Sequence, residues 1–341
     1  MTTYRVTFTP LEPYFFGNDK SRLLTRDRRS ESAAAGDVRH TVRSEPLPSQ
    51  STLWGTLRYL FLPVKRSDWQ YTAEEAKANA EAVGEAGFDP AEQRTFGKLK
   101  ALSPVFLWDG ERALVPAPFD HIVGETTYTP FRDYRPVRTP DGERLYAADY
   151  RAKNGITHDF MRLDDGALVS RDVLFSAVER TYLNKNNTFT LFNRELCRLA
   201  DGYAFAVYLT VEDDLPVQDT VALMGQGNAA FAVRFVREDD RLDEQVAALL
   251  PPRTVYCLGD AFLPSTVYRH CAFAVTDLKT YRTCTFTGQG VTKSPLLHRL
   301  VTAGSVFIPR DEAAFEAAAR HPSAQTVGYN RFVTGNGGIG K

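Results

Sequence analysis

The stretch from Arg43 to Leu62, RSEPLPSQSTLWGTLRYLFL, constrains the fold more than any other part of the chain. Pro46 and Pro48 forbid a helix before them, because each lacks a backbone donor and biases its predecessor towards an extended conformation. Ser49 or Ser51 can then cap the free amides of a first turn. Leu53, Leu57, Leu60 and Phe61 recur at three- and four-residue spacing, which predicts a helix from near Ser49 with one buried face, ended by Pro63. Ser51, Gly55 and Arg58 fall on a different stripe. A glycine inside a helix costs about 1 kcal/mol relative to alanine, so Gly55 makes sense where something approaches the backbone closely. Two readings fit that edge. One is a neighbouring helix or strand packed against Gly55; the other is an anion held by the hydroxyl-rich helix start and Arg58.

A chain of 341 residues, 43% of them hydrophobic, can bury two ordinary cores. We expect two domains, residues 1–200 and 201–341. Lys and Arg number 41 against 42 Asp and Glu, so no single field covers the molecule and any nucleic-acid surface must be local. Cys197, Cys257, Cys271 and Cys284 form no CxxC pair and have no histidine at ligand spacing, which points to reduced core residues and to no metal or cofactor. The start, MTTYRVTFTP, alternates as a strand, and no run approaches ~18 apolar residues, so a cytoplasmic protein without a membrane partner is expected.

Along the chain, Tyr4–Thr9 reads as a first strand, and a long basic loop from Lys20 to Arg43 follows it, containing Arg39, His40 and Arg43. Thr72–Gly87 reads as a surface helix, and Pro104–Trp108 with Arg112–Val115 as a hairpin about an Asp-Gly turn. Phe131–Gly155 interleaves arginines and Lys153 with tyrosines. That mixture suits single-stranded nucleic acid, while its acidic residues suit a solvated hairpin equally well. Arg180–Arg198 should be a projecting turn whose Asn184, Lys185 and Asn187 either form the turn or read base edges. Beyond Tyr203, strands are expected at Ala204–Val211, Ala230–Val236, Thr254–Leu258, Cys271–Val275, Thr283–Thr287 and Gly304–Ile308. Helices are expected at Val217–Met224, Arg241–Leu250 and Asp311–Arg320. That irregular order suits an α+β fold of the ferredoxin-like kind better than a parallel α/β sheet.

The tail contains GYNRFVTG, Gly328–Gly335, whose glycines would let the backbone, Asn330 and Arg331 approach a nucleotide; a simple hairpin turn is the alternative. Gly335–Lys341 spells GxxxxGK, but no following helix carries the Ser or Thr that a phosphate loop needs, so a nucleotide hydrolase is not expected.

In order along the chain, LEPYFFGND, PSQSTLWGTLRYL, LFNRE, TAGSVFIP and GYNRFVTG together resemble the third-subunit family of the type III-B CRISPR Cmr effector complex. That family belongs to the repeat-associated mysterious protein (RAMP) superfamily. The resemblance implies two ferredoxin-like (RRM-like) halves with long inserted loops or hairpins and a glycine-rich loop near the C-terminus. It implies a non-catalytic subunit that caps the 5′ repeat-derived tag of the crRNA. Such a subunit lies between the large polymerase/cyclase-like subunit and the backbone RAMP subunits, and meets target RNA only indirectly.

Carried onto this chain, the resemblance gives tag phosphates to Ser49, Gln50, Ser51, Thr52 and Arg58 and sets Gly328, Asn330 and Arg331 against the RNA. Arg39, Arg43, Lys153, Asn184, Lys185 and Asn187 complete the expected RNA-binding set. The hairpin that kinks the guide falls between Phe160 and Val178 or within Phe131–Gly155. Glycine-rich loops of the superfamily commonly have a second glycine near position 330, where this chain has Asn330. The rival reading is a metal-independent RAMP endoribonuclease that processes repeat RNA, for which His40 beside Arg39 and Arg43 is the candidate base.

Overall fold

The structure is a computed structural model that describes residues 1–17, 21–24, 39–140, 142–151, 153, 155–184, 190–213, 215–287 and 290–335. The chain opens with β1 (Thr2–Pro10), β2 (Ser21–Leu24) and β3 (Arg39–Arg43), then α1 (Gln50–Leu60) and α2 (Ala73–Val83). Short strands follow: β4 (Leu99–Leu102), β5 (Phe106–Trp108), β6 (Ala113–Pro116), the hairpin β7 (Tyr134–Thr139) and β8 (Gly142–Ala147), β9 (Phe160–Arg162) and β10 (Leu168–Val169). The turn α3 (Arg171–Leu174) leads into the long ribbon β11 (Phe175–Asn184) and β12 (Thr190–Leu199). Next come β13 (Ala204–Val211), β14 (Thr220–Met224), β15 (Ala229–Arg237), α4 (Leu242–Leu249) and β16 (Val255–Cys257). A 3-10 turn (Ser265–His270) precedes β17 (Cys271–Val275), β18 (Leu278–Tyr281), β19 (Cys284–Thr287), β20 (Gly290–Lys293), β21 (His298–Val301) and β22 (Val306–Pro309). The described chain closes with α5 (Glu312–Ala319), α6 (Pro322–Thr326) and β23 (Phe332–Thr334).

The fold is mixed α/β with mainly antiparallel sheets. A nine-stranded sheet runs β10-β9-β6-β5-β13-β1-β15-β14, with β4 also pairing β13. Its centre is β1, paired from Thr2↔Val211 to Phe8↔Phe205 on one side and from Tyr4↔Arg237 to Pro10↔Phe231 on the other. A second sheet, β11-β12-β3-β2, contains one parallel pair, β12 with β3. The third runs β17-β22-β16-β23, antiparallel throughout.

Period-two alternation divides the large sheet into two buried faces. On one, Val6, Phe8, Phe205, Val207, Phe231 and Val233 pack with Leu53, Trp54 and Leu57 of α1. On the other, Phe106, Ala206 and Tyr208 meet Leu242 and Val246 of α4 and Tyr256, Val306 and Val333 of the third sheet. Tyr256 fastens that contact by donating its hydroxyl to Pro116 O at 2.5 Å. The far side of the third sheet is closed by α5, whose Phe315 packs on Phe307 and Phe332. Each such fully buried side chain contributes roughly 1.5–3 kcal/mol relative to exposure.

Three expectations are corrected. Val217–Met224 is not a helix: Thr220–Met224 is strand β14, with Ala222 and Met224 buried and Val221 and Leu223 exposed, a period of two that only a strand produces. The sheet also spans the division expected at 200/201, because β1 is paired on both sides by strands from beyond it. Cys284 is exposed rather than buried; all four cysteines are free, with Cys257 and Cys271 in the interior.

Candidate nucleic-acid interface

The start of α1 is built by its own hydroxyls. Ser49 is the N-cap, with Oγ accepting from Thr52 N at 3.2 Å and lying 3.1 Å from Ser51 Oγ and 2.8 Å from Thr52 Oγ1. This satisfies one of the amides that a helix start leaves free. Ser51 N donates to Tyr329 Oη at 3.2 Å, so a residue 278 positions later supplies a second cap.

That bond joins α1 to the glycine-rich turn after α6. Gly328 adopts φ +87, and a Cβ there would collide with Gln50 Nε2 and Ser103 O, so only glycine fits. Tyr329 is buried among Phe88, Phe262 and Tyr281, with ring centroids 5.3, 5.1 and 5.9 Å away, and burial pushes its hydroxyl pKa well up. Asn330 adopts φ +52, the left-handed conformation that asparagine tolerates better than most residues. Its amide is fully used: Nδ2 donates to Phe262 O and Ala319 O, both at 3.0 Å, and Oδ1 accepts from Phe262 N at 2.8 Å. Asn330 thus holds a left-handed position in the turn and adds three hydrogen bonds to it.

Several candidate side chains are engaged inside the chain. Gln50 is buried, donating from Nε2 to Ser103 O at 2.5 Å and accepting from Val105 N at 3.1 Å. Arg58 donates from Nε to Val83 O at 2.8 Å and from Nη2 to Gly84 O at 2.9 Å, where α2 ends and leaves carbonyls without helical donors. Burial, with nearby Arg94, lowers its pKa to about 10, and it remains a cation at neutral pH. Arg331 pairs with Asp240 at 2.5 Å and Asp243 at 2.8 Å, and Arg43 with Glu195 at 2.9 Å. Lys153 is exposed. The backbones of Arg39 and Asn184 lie in β3 and β11, while their side chains, and the whole of Lys185 and Asn187, lie outside the described residues, as does the GxxxxGK end beyond Gly335.

Gly55 faces open space: a Cβ added to it meets nothing within 4 Å. No neighbour among the described residues explains it, and the residue opens onto a broad groove of about 2760 Å³. Ser49, Ser51 and Thr52 line the same groove, and so do His158, Arg171 and Lys279. Among the described residues the Arg171 side chain has no hydrogen-bond or ion-pair partner; its backbone N–H donates to Asp159 Oδ1 at 3.2 Å and its carbonyl accepts from Phe175 N. Lys279 pairs with Asp260, and His158 Nε2 is 3.7 Å from Asp277 Oδ2. Burial lowers the His158 pKa despite that carboxylate. These three basic residues escaped the sequence reading because each stands alone in its local pattern, and only the tertiary fold brings them to one wall.

The basic and aromatic segment Phe131–Gly155 contains the docked hairpin β7–β8. Arg144 donates to Tyr268 O at 2.8 Å and Cys271 O at 3.2 Å, Arg310 donates to Glu143 O at 2.9 Å, and Tyr134 packs edge-on to Phe273 at 5.2 Å. Arg135 pairs with Asp133. The ribbon β11–β12 places Arg180 opposite Arg194, whose guanidinium lies 5.0 Å from the Tyr182 ring and 5.3 Å from Phe15. Among the described residues no group of three or more His, Cys, Asp or Glu is placed to hold a metal ion, and no helix is long and apolar enough to cross a membrane.

A mixed α/β chain of this architecture, two sheets stacked about a shared core with a capped helix locked to a glycine turn, has the fold of a CRISPR effector-complex chain. It aligns with a chain from "Cryo-EM structure of the Type III-B Cmr-beta bound to cognate target RNA" over 97% of its own length and 96% of that chain, with a TM-score of 0.53 and 13% identity. A second Cmr-beta structure, bound to cognate target RNA and AMPPnP, gives a TM-score of 0.51 at 12% identity, covering 96% of this chain and 95% of that one. Within the sequence, residues 22–158 match the model of the CRISPR-associated protein (Cas_Cmr3) family, which bears out the resemblance drawn from the motifs. No curated protein matches it.

Proposed function

We propose that the protein is a non-catalytic crRNA-binding subunit of a cytoplasmic type III-B effector complex, capping the 5′ repeat-derived tag and bridging the large subunit and the backbone subunits. The observation that carries this reading is the Cmr3 match over residues 22–158, the segment that holds α1 and one wall of the groove. Ser49, Ser51 and Thr52 with Arg171 make the phosphate-facing edge. Gln50, Arg58, Gly328, Asn330 and Arg331 hold that edge in place through the bonds described above. Arg39, Arg43, Lys153, Asn184, Lys185 and Asn187 extend the RNA surface along the basic loops and the ribbon.

The ferredoxin-like reading fits the two halves unequally. The third sheet has the order 2-3-1-4, if β16, β17, β22 and β23 are counted in turn, and the 3-10 turn and α5 occupy the two helix positions. In the large sheet, β1, β4 with β5, β13 and β15 follow the same order, α1 takes the first helix position, and β14 stands where a second helix would lie.

The reading is tested by crosslinking a reconstituted complex that carries photoreactive nucleotides in the crRNA tag. Crosslinks to peptides spanning Ser49–Arg58 or containing Arg171 are expected; a complex whose tag crosslinks only to other subunits overturns the capping role. Arg171→Ala should weaken RNA retention and flatten the log–log salt dependence by about one phosphate contact. Metal-free cleavage of repeat RNA by the purified chain, abolished by His40→Ala, would instead establish the endoribonuclease.

A further inference from the structure

The two edges of the nine-stranded sheet are treated differently. At one end lies β10, only two residues long, a length that blunts an edge. At the other lies β14, Thr-Val-Ala-Leu-Met, which carries no charge and no proline. It pairs with β15 in unbroken register from Thr220↔Val233 to Met224↔Ala229. No other strand among the described residues pairs with it, and Val221 to Met224 open onto the groove. Half of its backbone N–H and C=O groups therefore face outward, a ready template for another strand.

The outer face beside this edge is apolar over several strands. Val221 is 57% exposed and Leu223 62%. Across the ladder lie Ala232 and Ala230, then Val236 further along β15, and Leu11, whose N–H donates to Ala230 O at 2.9 Å. Three charges border the patch: Arg234, exposed and without an ion-pair partner among the described residues, Glu12, whose Oε1 accepts from Ala230 N at 3.2 Å, and Asp219, whose Oδ1 accepts from Phe235 N at 2.9 Å. A largely apolar face with a free backbone edge, where two carboxylates outnumber one guanidinium, suits a polypeptide strand rather than a polyanion.

We propose that β14 is a strand-addition site for a neighbouring protein subunit of the assembly. The occupant is an extended segment with apolar side chains at alternate positions, to cover Val221 and Leu223, and a carboxylate that reaches Arg234. Main-chain bonds along β14 supply affinity, and the alternate side chains supply register. This inference rests on the reading of the chain as a subunit of a multiprotein complex.

The test is amide hydrogen exchange of the isolated chain and of the reconstituted complex with its crRNA. Val221–Met224 amides should exchange at least tenfold more slowly in the complex. The Val221→Lys/Leu223→Lys double variant and Arg234→Glu should each lower co-purification with protein partners at least tenfold. Both leave the buried face of β14 intact, and thermal melting of each variant at the wild-type midpoint shows that its fold is unchanged. Crosslinking of these variants to free crRNA should match wild type. Unchanged β14 exchange in a complex that does assemble overturns this inference alone; a wild-type chain that never joins the other subunits overturns the assembly reading and this inference with it. Protection that arises by self-association of the isolated chain, or crosslinks from β14 to RNA, also overturns it.

Discussion

At the scale of single residues, Asn330 shows how one side chain holds the glycine turn. Replacing it with alanine removes three buried hydrogen bonds and leaves a Cβ residue in the left-handed region without a compensating amide. Asn330→Ala should cost about 3–4 kcal/mol, and Asn330→Gly about 1 kcal/mol less, because glycine keeps φ +52 without strain. Urea unfolding of the two variants checks the order. Gly55→Ala should go the other way, stabilising the isolated chain by about 0.5–1 kcal/mol, since the added methyl meets nothing. Asp120 is a third case. It is buried with Oδ2 unpartnered, while Oδ1 accepts from Tyr128 Oη at 3.0 Å, and burial raises its pKa to about 7. The folded state then holds this proton more tightly than the unfolded chain does. Its contribution is complete below about pH 4 and is lost as pH rises through 7. Asp120→Asn should flatten the decline of the melting temperature between pH 5 and 7.5 and be the more stable form at pH 8.

Secondary-structure elements were legible in the sequence wherever local chemistry decided them. Ser49 caps α1, Asp311 caps α5, and β13 and β17 coincide with nearly continuous apolar runs. Ser49→Ala should cost about 1 kcal/mol of stability, readable as a lowered melting temperature. The segment at β14 misled because Val217, Val221, Met224 and the intervening residues also satisfy a three- and four-residue repeat; pairing with β15 makes it a strand, and that pairing is a tertiary fact. The candidate site was legible to the same degree. Its hydroxyls and glycine turn could be read from the sequence and do converge, through Ser51 and Tyr329. What local pattern could not disclose is that Gln50, Arg58 and Asn330 spend their polar groups within the chain, because burial depends on partners 53, 25 and 68 residues away.

For the whole molecule, the nine-stranded sheet ties the beginning of the chain to its middle. A fragment of residues 1–200 lacks β13, which pairs β1, β4 and β5, and lacks β15 on the other side of β1. It should fail to fold, giving no cooperative melt and rapid proteolysis. Coexpression of 1–200 with 201–341 should recover a compact species if the two associate through that sheet. The near-neutral net charge of −1 adds a second whole-molecule expectation: affinity for RNA will depend on local cations, so substitutions far from the groove should leave the salt dependence unchanged.

The pairing of Thr2 with Val211 also has a temporal side. A ribosome adding about 5–20 residues per second needs roughly 10–40 s to make the intervening chain, and through that interval β1 has neither neighbour. Its apolar face, Val6 and Phe8, must therefore wait unpaired in the nascent polypeptide, so a strand made well before its partners is among the last to find its place.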